Sequence, residues 1–293
     1  MERPQVAAPN AAGLSVDENE FQRSFGRRPF LVRHELSDDP LFEIERLLQL
    51  ARDLPEDRVE YNSGEVGVHT EPDRTPHTGL TAEETIRQIG ECKSWLVLKN
   101  VEHDPAYREL LYRCLDQVEA MGHPDARRIV QREGFIFVSS PGATTPYHID
   151  PEWNFLLQIR GSKHINVFPS DDREILTDAS LERFYSGAHR NLPFRDEFQS
   201  KAQAFELQPG DGVHVPVTAP HWVRNGPAVS VSFSITFQTL ASARRGMTYR
   251  VNGLMRQSGL HPVAVGRSGW RDELKYQSYR AFRRLGSLRR SGS

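Results

Sequence analysis

The stretch TPYHIDPEWNF, Thr145–Phe155, sets an imidazole and a carboxylate two positions apart, at His148 and Asp150, in a segment that reads as a β-strand. Successive strand side chains point to opposite faces, so residues i and i+2 share a face and can grip one ion together. The spacing alone is weak, because His123 and Asp125 in GHPDAR repeat it. Pro124 separates that second pair and no alternating strand surrounds it, which puts it in a helix-to-strand loop. His148 and Asp150 instead lie just after a turn at Gly142 and just before the alternating run NFLLQIR, Asn154–Arg160.

Outward from this stretch the hydrophobic period is two. GFIFVS (134–139), KHINVF (163–168), 204–207, 212–217 and VSVSFSITF (229–237) read as short strands divided by Gly, Pro and Asp turns, with Gly161 and Ser162 as a hairpin turn. Upstream the reading is mixed. A first strand is expected at 29–35, a helix over 41–54 stopped by Pro55, a capped helix from Thr81 with Glu84 in the capping-box position, a buried strand at 94–101 and an amphipathic helix over 104–121. The Gly-, Pro- and Thr-rich segment 64–79, with His69 and His77, reads as a long loop suited to cover a site. Beyond Leu240 the pattern returns to helix, strongest over 270–285. The fold class is therefore mainly β with flanking helices: a double-stranded β-helix of jelly-roll, cupin type, with N-terminal helical elements and a C-terminal helical extension. The expected organisation is a flexible N-terminal arm over 1–25, a catalytic domain over 26–240 and a basic helical extension over 241–293.

A third ligand should come from a distant strand brought alongside by sheet pairing. GDGVHVPVTAPHWVRN, Gly210–Asn225, offers His214 and His221. Pro216, then His221 five residues on, then Asn225, is close to the second cupin motif, P-x-G-x-x-H-x-x-x-N, with Thr218 standing where the motif has glycine. His221 is thus the candidate ligand, and His214, flanked by Val213 and Val215, is assigned to core or pocket wall. Two histidines and a carboxylate make the facial triad that binds non-haem Fe(II).

With these residues placed, the chain resembles the JmjC family of Fe(II)- and 2-oxoglutarate-dependent oxygenases. The likeness is to its small hydroxylase branch, which includes the asparaginyl hydroxylase of hypoxia-inducible factor. It covers roughly residues 94–238 and is densest over 145–169, where NFLLQIRGSK ends in FP as the family pattern does, and over 210–225. The resemblance implies that His148, Asp150 and His221 hold the metal. It implies that Thr145, Asn154 and Lys163 bind 2-oxoglutarate, Lys163 pairing with the far carboxylate, and that Ser234 lies where relatives carry a cosubstrate amide. Phe135 and Phe137 stand where relatives use an aromatic hydroxyl. A dianion left dry in a barrel needs a cation and hydroxyl donors, and Lys163 and Thr145 supply them.

The implied reaction is hydroxylation of a peptide or protein side chain, or of a small metabolite, with O2 and 2-oxoglutarate consumed and succinate and CO2 released. Nothing resembles a chromatin-reading module, which ranks demethylation lower. Two alternatives stay open: a non-catalytic cupin-fold binding or regulatory protein, and a cupin isomerase or dioxygenase that needs no cation at Lys163. Glu152 and Trp153, beside the ligands, are substrate wall or scaffold.

Composition bounds the rest. The 293 residues can bury a large core, and no run approaches the ~18 apolar residues of a membrane span. Residues 1–20 lack the apolar core of a signal peptide, and with two cysteines, Cys92 and Cys114, a reducing cytoplasm is expected. The net charge of −2 hides a basic C-terminus, with twelve Lys or Arg against Asp272 and Glu273 from Ala243 on. A solvated helix face contacting its own acidic body or a second subunit is the favoured reading, with nucleic acid disfavoured and a homodimer through these helices expected.

Overall fold

The alternating region folds into two stacked antiparallel sheets, because each strand has one apolar stripe to bury and the second sheet is what buries it. The computed structural model describes residues 13–70 and 78–290. The larger sheet contains β1 (Leu14–Ser15), β2 (Phe30–His34), β3 (Val59–Ser63), β4 (Ser94–Lys99), β5 (Ile129–Ser139), β7 (Trp153–Arg160), β10 (Asp211–Val215) and β12 (Ser230–Thr239), in the order β1-β2-β10-β7-β12-β5-β4-β3. The smaller contains β6 (Thr144–His148), β8 (Lys163–Val167), β9 (Gln203–Leu207) and β11 (His221–Asn225), ordered β6-β11-β8-β9. This is the jelly-roll class expected from the strand pattern.

Alternation along the central strands decides which residues reach the interior. On β7, Phe155, Leu157 and Ile159 join Val231, Phe233, Ile235 and Phe237 of β12 in the main core, packed under the helical layer. That layer includes α1 (Glu18–Ser24), α2 (Ile44–Asp53), α3 (Ala82–Arg87) and α4 (Pro105–Ala120), the last with Tyr107, Leu110, Leu111, Cys114, Leu115 and Val118 buried as the period predicts. The opposite face of β7 points at the small sheet, where Leu156 packs with Ile165, Val167, Leu207, Val213 and Val223. The small sheet covers only part of its partner. Glu60, Asn62, Trp95, Val97 and Lys99, on β3 and β4, line a cleft of about 520 Å³.

Three expectations are corrected. The arm over 1–25 is not flexible within the described residues. Residues 14–15 pair with β2, and α1 carries Phe21, with Phe25 just after it, both fully buried. Residues 1–12 lie outside the described residues. Gly161 and Ser162 do not close a hairpin, since β7 and β8 belong to different sheets. The turn hands the chain from one sheet to the other. Gly161 sits at φ +69°, and a Cβ there would lie 2.4 Å from the Val229 carbonyl oxygen, so the crossover requires glycine. Finally, β6 ends at His148, so Asp150 lies beyond the strand rather than within it.

The C-terminal extension is attached rather than trailing. α6 (Leu240–Gln257) packs on α5 (Asp178–Tyr185), with Gly246 against the Tyr185 ring and Arg256 gripping the buried Glu182 through two hydrogen bonds, at 2.5 and 3.1 Å. α7 (Gly269–Arg290) returns across α6, where Arg244 stacks on Tyr276 and pairs with Glu273, and Arg250 stacks on Tyr279. Part of the basic charge thus finds partners within the chain. The segment 64–79 is described only to Thr70 and from Thr78. Its first part lies along β6, Gly64 and Val68 carbonyls accepting from Thr144 and Tyr147. His77, part of the expected cover, lies outside the described residues.

Phe25 stacks on His214 at 4.7 Å and on Trp153 at 5.1 Å. Phe25→Ala should therefore destabilise by about 3–5 kcal/mol, the usual cost of an aromatic-sized cavity. Denaturant unfolding measures it, and a loss below about 1 kcal/mol would show that this segment is not core.

Candidate metal and cosubstrate site

Register brings the triad together. In the antiparallel β6–β11 pair, His221 lies directly opposite His148. Their ring centroids are 4.1 Å apart, and both side chains are about 6% exposed. Each ring is oriented by its own strand: His148 Nδ1 faces the Pro146 carbonyl at 2.7 Å and His221 Nδ1 faces that of Ala219 at 2.9 Å. A carbonyl can only accept, so Nδ1 donates in both rings, which leaves Nε2 as the atom facing the cavity and available to ligate. Burial, with His148 alongside, lowers the His221 pKa to about 4, which keeps the ring neutral and able to ligate.

Asp150 completes the group. Its Oδ2 lies 3.5 Å from His148 Nε2 and 3.6 Å from His221 Nε2, and the candidate ligand atoms are all within 4.8 Å of one another. Burial acts to raise the Asp150 pKa, but His148 and Arg190 outweigh it and hold the carboxyl below its ordinary range. Arg190 Nη1 donates to Oδ1 at 3.1 Å, leaving Oδ2 toward the imidazoles. Beyond the strand end, Asp150 is fixed by its carbonyl, which accepts from Thr218 N at 2.9 Å. Thr218 adopts φ +57° to do this, the left-handed conformation for which the cupin motif uses glycine. Two imidazoles and one carboxylate on one side of a cavity fit a divalent transition metal with its other positions open.

Behind the triad lies a cavity of about 100 Å³ between the sheets, lined by Thr145, Asn154, Lys163, Ser234, Phe135 and Phe137 among others. All four residues expected at the cosubstrate site therefore line one cavity, Thr145 and Lys163 from the small sheet and Asn154 and Ser234 from the large one. Lys163 is 5% exposed, its ammonium donating to Ser232 Oγ at 2.6 Å and lying 5.8 Å from the Phe137 ring centroid. No ion pair to Lys163 exists among the described residues, and burial pulls its pKa down to about 7. An unpaired buried cation is costly, which marks a place prepared for an anion. Asn154 accepts from Ser234 Oγ at 2.8 Å, so Ser234 aims the Asn154 amide.

The expected decoys fall elsewhere. His214 is fully buried among Phe25, Phe30, Phe155 and Trp153, with Nδ1 on the Asn154 carbonyl at 3.1 Å, and burial takes its pKa to about 3. His123 accepts from Asp125 N and caps a short 3-10 turn. Trp153 is scaffold in the same aromatic stack. Glu152, by contrast, lines the cavity, and burial together with Asp150 and Glu133 raises its carboxyl to about 8; a cation at the triad would lower it again.

Sequence reasoning missed Arg190, Gln158 and Ser232. A readable signal existed for the last two. Hydroxyls recur at every second position of β12, Ser230, Ser232, Ser234 and Thr236, and Asn154 and Gln158 share the matching face of β7. Arg190 had none, since it lies in an irregular segment that runs beside β6 only in the folded chain, its carbonyl accepting from Ile149 N at 3.1 Å.

Residues 118–244 match the family model described as the JmjC domain. Among curated proteins, the chain is 34% identical over 102 residues to "Lysine-specific demethylase 8" of Xenopus tropicalis, covering 33% of this chain and 22% of that protein. It is 32% identical over 104 residues to "Jumonji C domain-containing protein 5" of Drosophila melanogaster, covering 31% and 25%. The chain thus spans about a quarter of the length of these relatives. Among solved structures, Escherichia coli ycfD matches with TM-score 0.53 at 19% identity, covering 92% of this chain and 68% of that one. The same ribosomal oxygenase in complex with cobalt and 2-oxoglutarate matches with TM-score 0.52 at 19% identity, covering 92% and 67%. Through residues 118–244 this chain is similar to the JmjC, cupin-fold family of Fe(II)- and 2-oxoglutarate-dependent oxygenases.

Proposed function

We propose that this protein is a 2-oxoglutarate-dependent hydroxylase of a peptide or protein side chain. One observation carries the reading: a buried lysine ammonium without an anionic partner among the described residues shares a cavity with two imidazoles and a carboxylate. In this reading His148, Asp150 and His221 hold Fe(II). Lys163 meets the far carboxylate of 2-oxoglutarate, and Thr145 and Asn154, the latter aimed by Ser234, supply hydrogen bonds along it. Iron, 2-oxoglutarate and O2 together supply C–H oxidation coupled to decarboxylation, giving succinate and CO2. Phe135 and Phe137 keep water from the cavity, and Arg190 holds the Asp150 carboxylate in place.

The larger cleft favours a peptide over a free metabolite. It adjoins the triad, sharing Phe135, Phe137, Thr145, His148 and Arg190 with the cavity, and it is about 520 Å³ in volume and lined by residues of β3 and β4. A side chain entering from a bound peptide would reach the metal while its backbone stayed outside. Hydroxylation is the first reading, following the resemblance to the small hydroxylase branch, and a small metabolite as substrate is the second. A cytoplasmic location belongs to the proposal, supported by free Cys92 and Cys114.

A homodimer through the C-terminal helices completes the reading. Trp270, Leu274 and Phe282 of α7 are 68%, 59% and 73% exposed, and Leu254 of α6 is 47% exposed. Apolar side chains of this size clustered on one helix pair favour a partner, and a second copy satisfies both helices at once.

Anaerobic Fe(II) titration with 2-oxoglutarate should give a visible metal-to-ligand charge-transfer band, absent in Asp150→Ala; no band in the wild type, or an unchanged one in the variant, overturns the assignment. Lys163 gives a two-sided test. Its folded pKa of about 7 lies below the ordinary 10.5, so the unfolded chain binds more protons between these values and stability rises with pH across that window. Lys163→Met should flatten this slope, stabilise the ligand-free protein at pH 7 by on the order of 1–4 kcal/mol, and lose 2-oxoglutarate binding. Thermal melts with and without the cosubstrate decide it. Light scattering should give twice the chain mass for the wild type and the chain mass for Trp270→Glu/Phe282→Glu, and a wild-type monomer ends the dimer proposal.

A further inference from the structure

Lys163 does not stand alone. It belongs to β8, in the small sheet, and reaches across the cavity to Ser232 on β12, in the large one. Ser232 Oγ donates onward to Gln158 Oε1 at 2.7 Å. Gln158 is fully buried, and its Nε2 donates to the Arg160 carbonyl at 2.7 Å and to Ser230 Oγ at 3.0 Å. These contacts give the chain a single direction. The Arg160 carbonyl can only accept, so the amide cannot be flipped, and Oε1 must face Ser232. Ser232 has one hydroxyl hydrogen, and Gln158 takes it. What Ser232 turns toward Lys163 is therefore always a lone pair.

We propose that Ser232, oriented by Gln158, is a positioning residue that engages one N–H of Lys163 and aims the other two at the far carboxylate of the cosubstrate. The inference rests on the oxygenase reading and deepens it. An ammonium has three donors and a carboxylate two oxygens, so holding one donor from behind leaves a matched pair in front. A hydroxyl free to rotate would offer its hydrogen to the ammonium in part of the population and repel it. The same tie spans both sheets, fixing how far the cation stands from the triad and so favouring a dicarboxylate over a 2-oxo acid without a second charge. Other groups near Lys163 do not duplicate the role: Phe137 presents a ring face, and no carboxylate pairs with Lys163 among the described residues.

The test compares two ligands that chelate metal identically and differ only at the far end, 2-oxoglutarate and 2-oxopentanoate. Both are titrated anaerobically into the Fe(II)-loaded full chain, following the charge-transfer band. In the wild type 2-oxoglutarate should bind much more tightly. Ser232→Ala should raise its Kd roughly tenfold and Gln158→Met roughly threefold, the scale of one lost hydrogen bond to a charged group, with 2-oxopentanoate unmoved in both. Lys163→Met should make the two ligands alike. A general structural defect would shift both ligands together, and that result, or no shift in either, overturns the inference. Should Ser232→Ala fail to fold, Ser232→Cys, close in size but a weak acceptor, carries the same comparison. A wild type that shows no band with either ligand removes the oxygenase reading and this inference with it, whereas an intact wild-type preference with insensitive variants removes the inference alone.

Discussion

Antiparallel pairing of β6 with β11 is the constraint on which the rest of the molecule depends, because it sets His148 opposite His221. A slip of one residue would turn every side chain of one strand to the other face and separate the two imidazoles. The register is held from both sides. β11 also pairs with β8 over five residue positions, from His221 with Val167 to Asn225 with Lys163. One strand therefore carries a metal-ligand candidate at one end and abuts Lys163, the candidate cosubstrate residue, at the other, so the separation of the two is a matter of strand length rather than of loop conformation.

A second constraint is dryness. The space between the sheets is apolar at one end, around Leu156, Ile165 and Val213, and polar at the other, around Lys163, Asn154 and the β12 hydroxyls. Polar groups in such a place must be partnered or they cost stability, and here nearly all are partnered by one another: Ser234 with Asn154, Ser232 with Gln158, Gln158 with Ser230. The charge of Lys163 has no anionic partner among the described residues, and burying it so costs stability.

The periphery serves this interior. The segment before β2 was expected to be a free arm, yet Phe21 and Phe25 close the aromatic stack around His214 from outside. At the other end, part of the basic charge of the C-terminal helices meets Glu182, Glu273 and tyrosine rings. Charge counts along a sequence give the excess but not its partners, since Glu182 precedes Arg256 by 74 positions.

By itself the sequence determined the strand periodicity, the helical face of α4, and the types and spacing of the residues that gather in the cavity. These are local signals: alternation, capping and motif spacing survive in a linear string because neighbouring side chains share a backbone. Only the tertiary structure decided what depends on distant segments meeting. It moved Asp150 off the strand and fixed it through Thr218 and Arg190, turned the Gly161–Ser162 bend from a hairpin into a passage between sheets, and joined Lys163 to Ser232 and Gln158. Sheet partners are chosen by burial and register across the whole chain, and no window of sequence contains both sides of that choice.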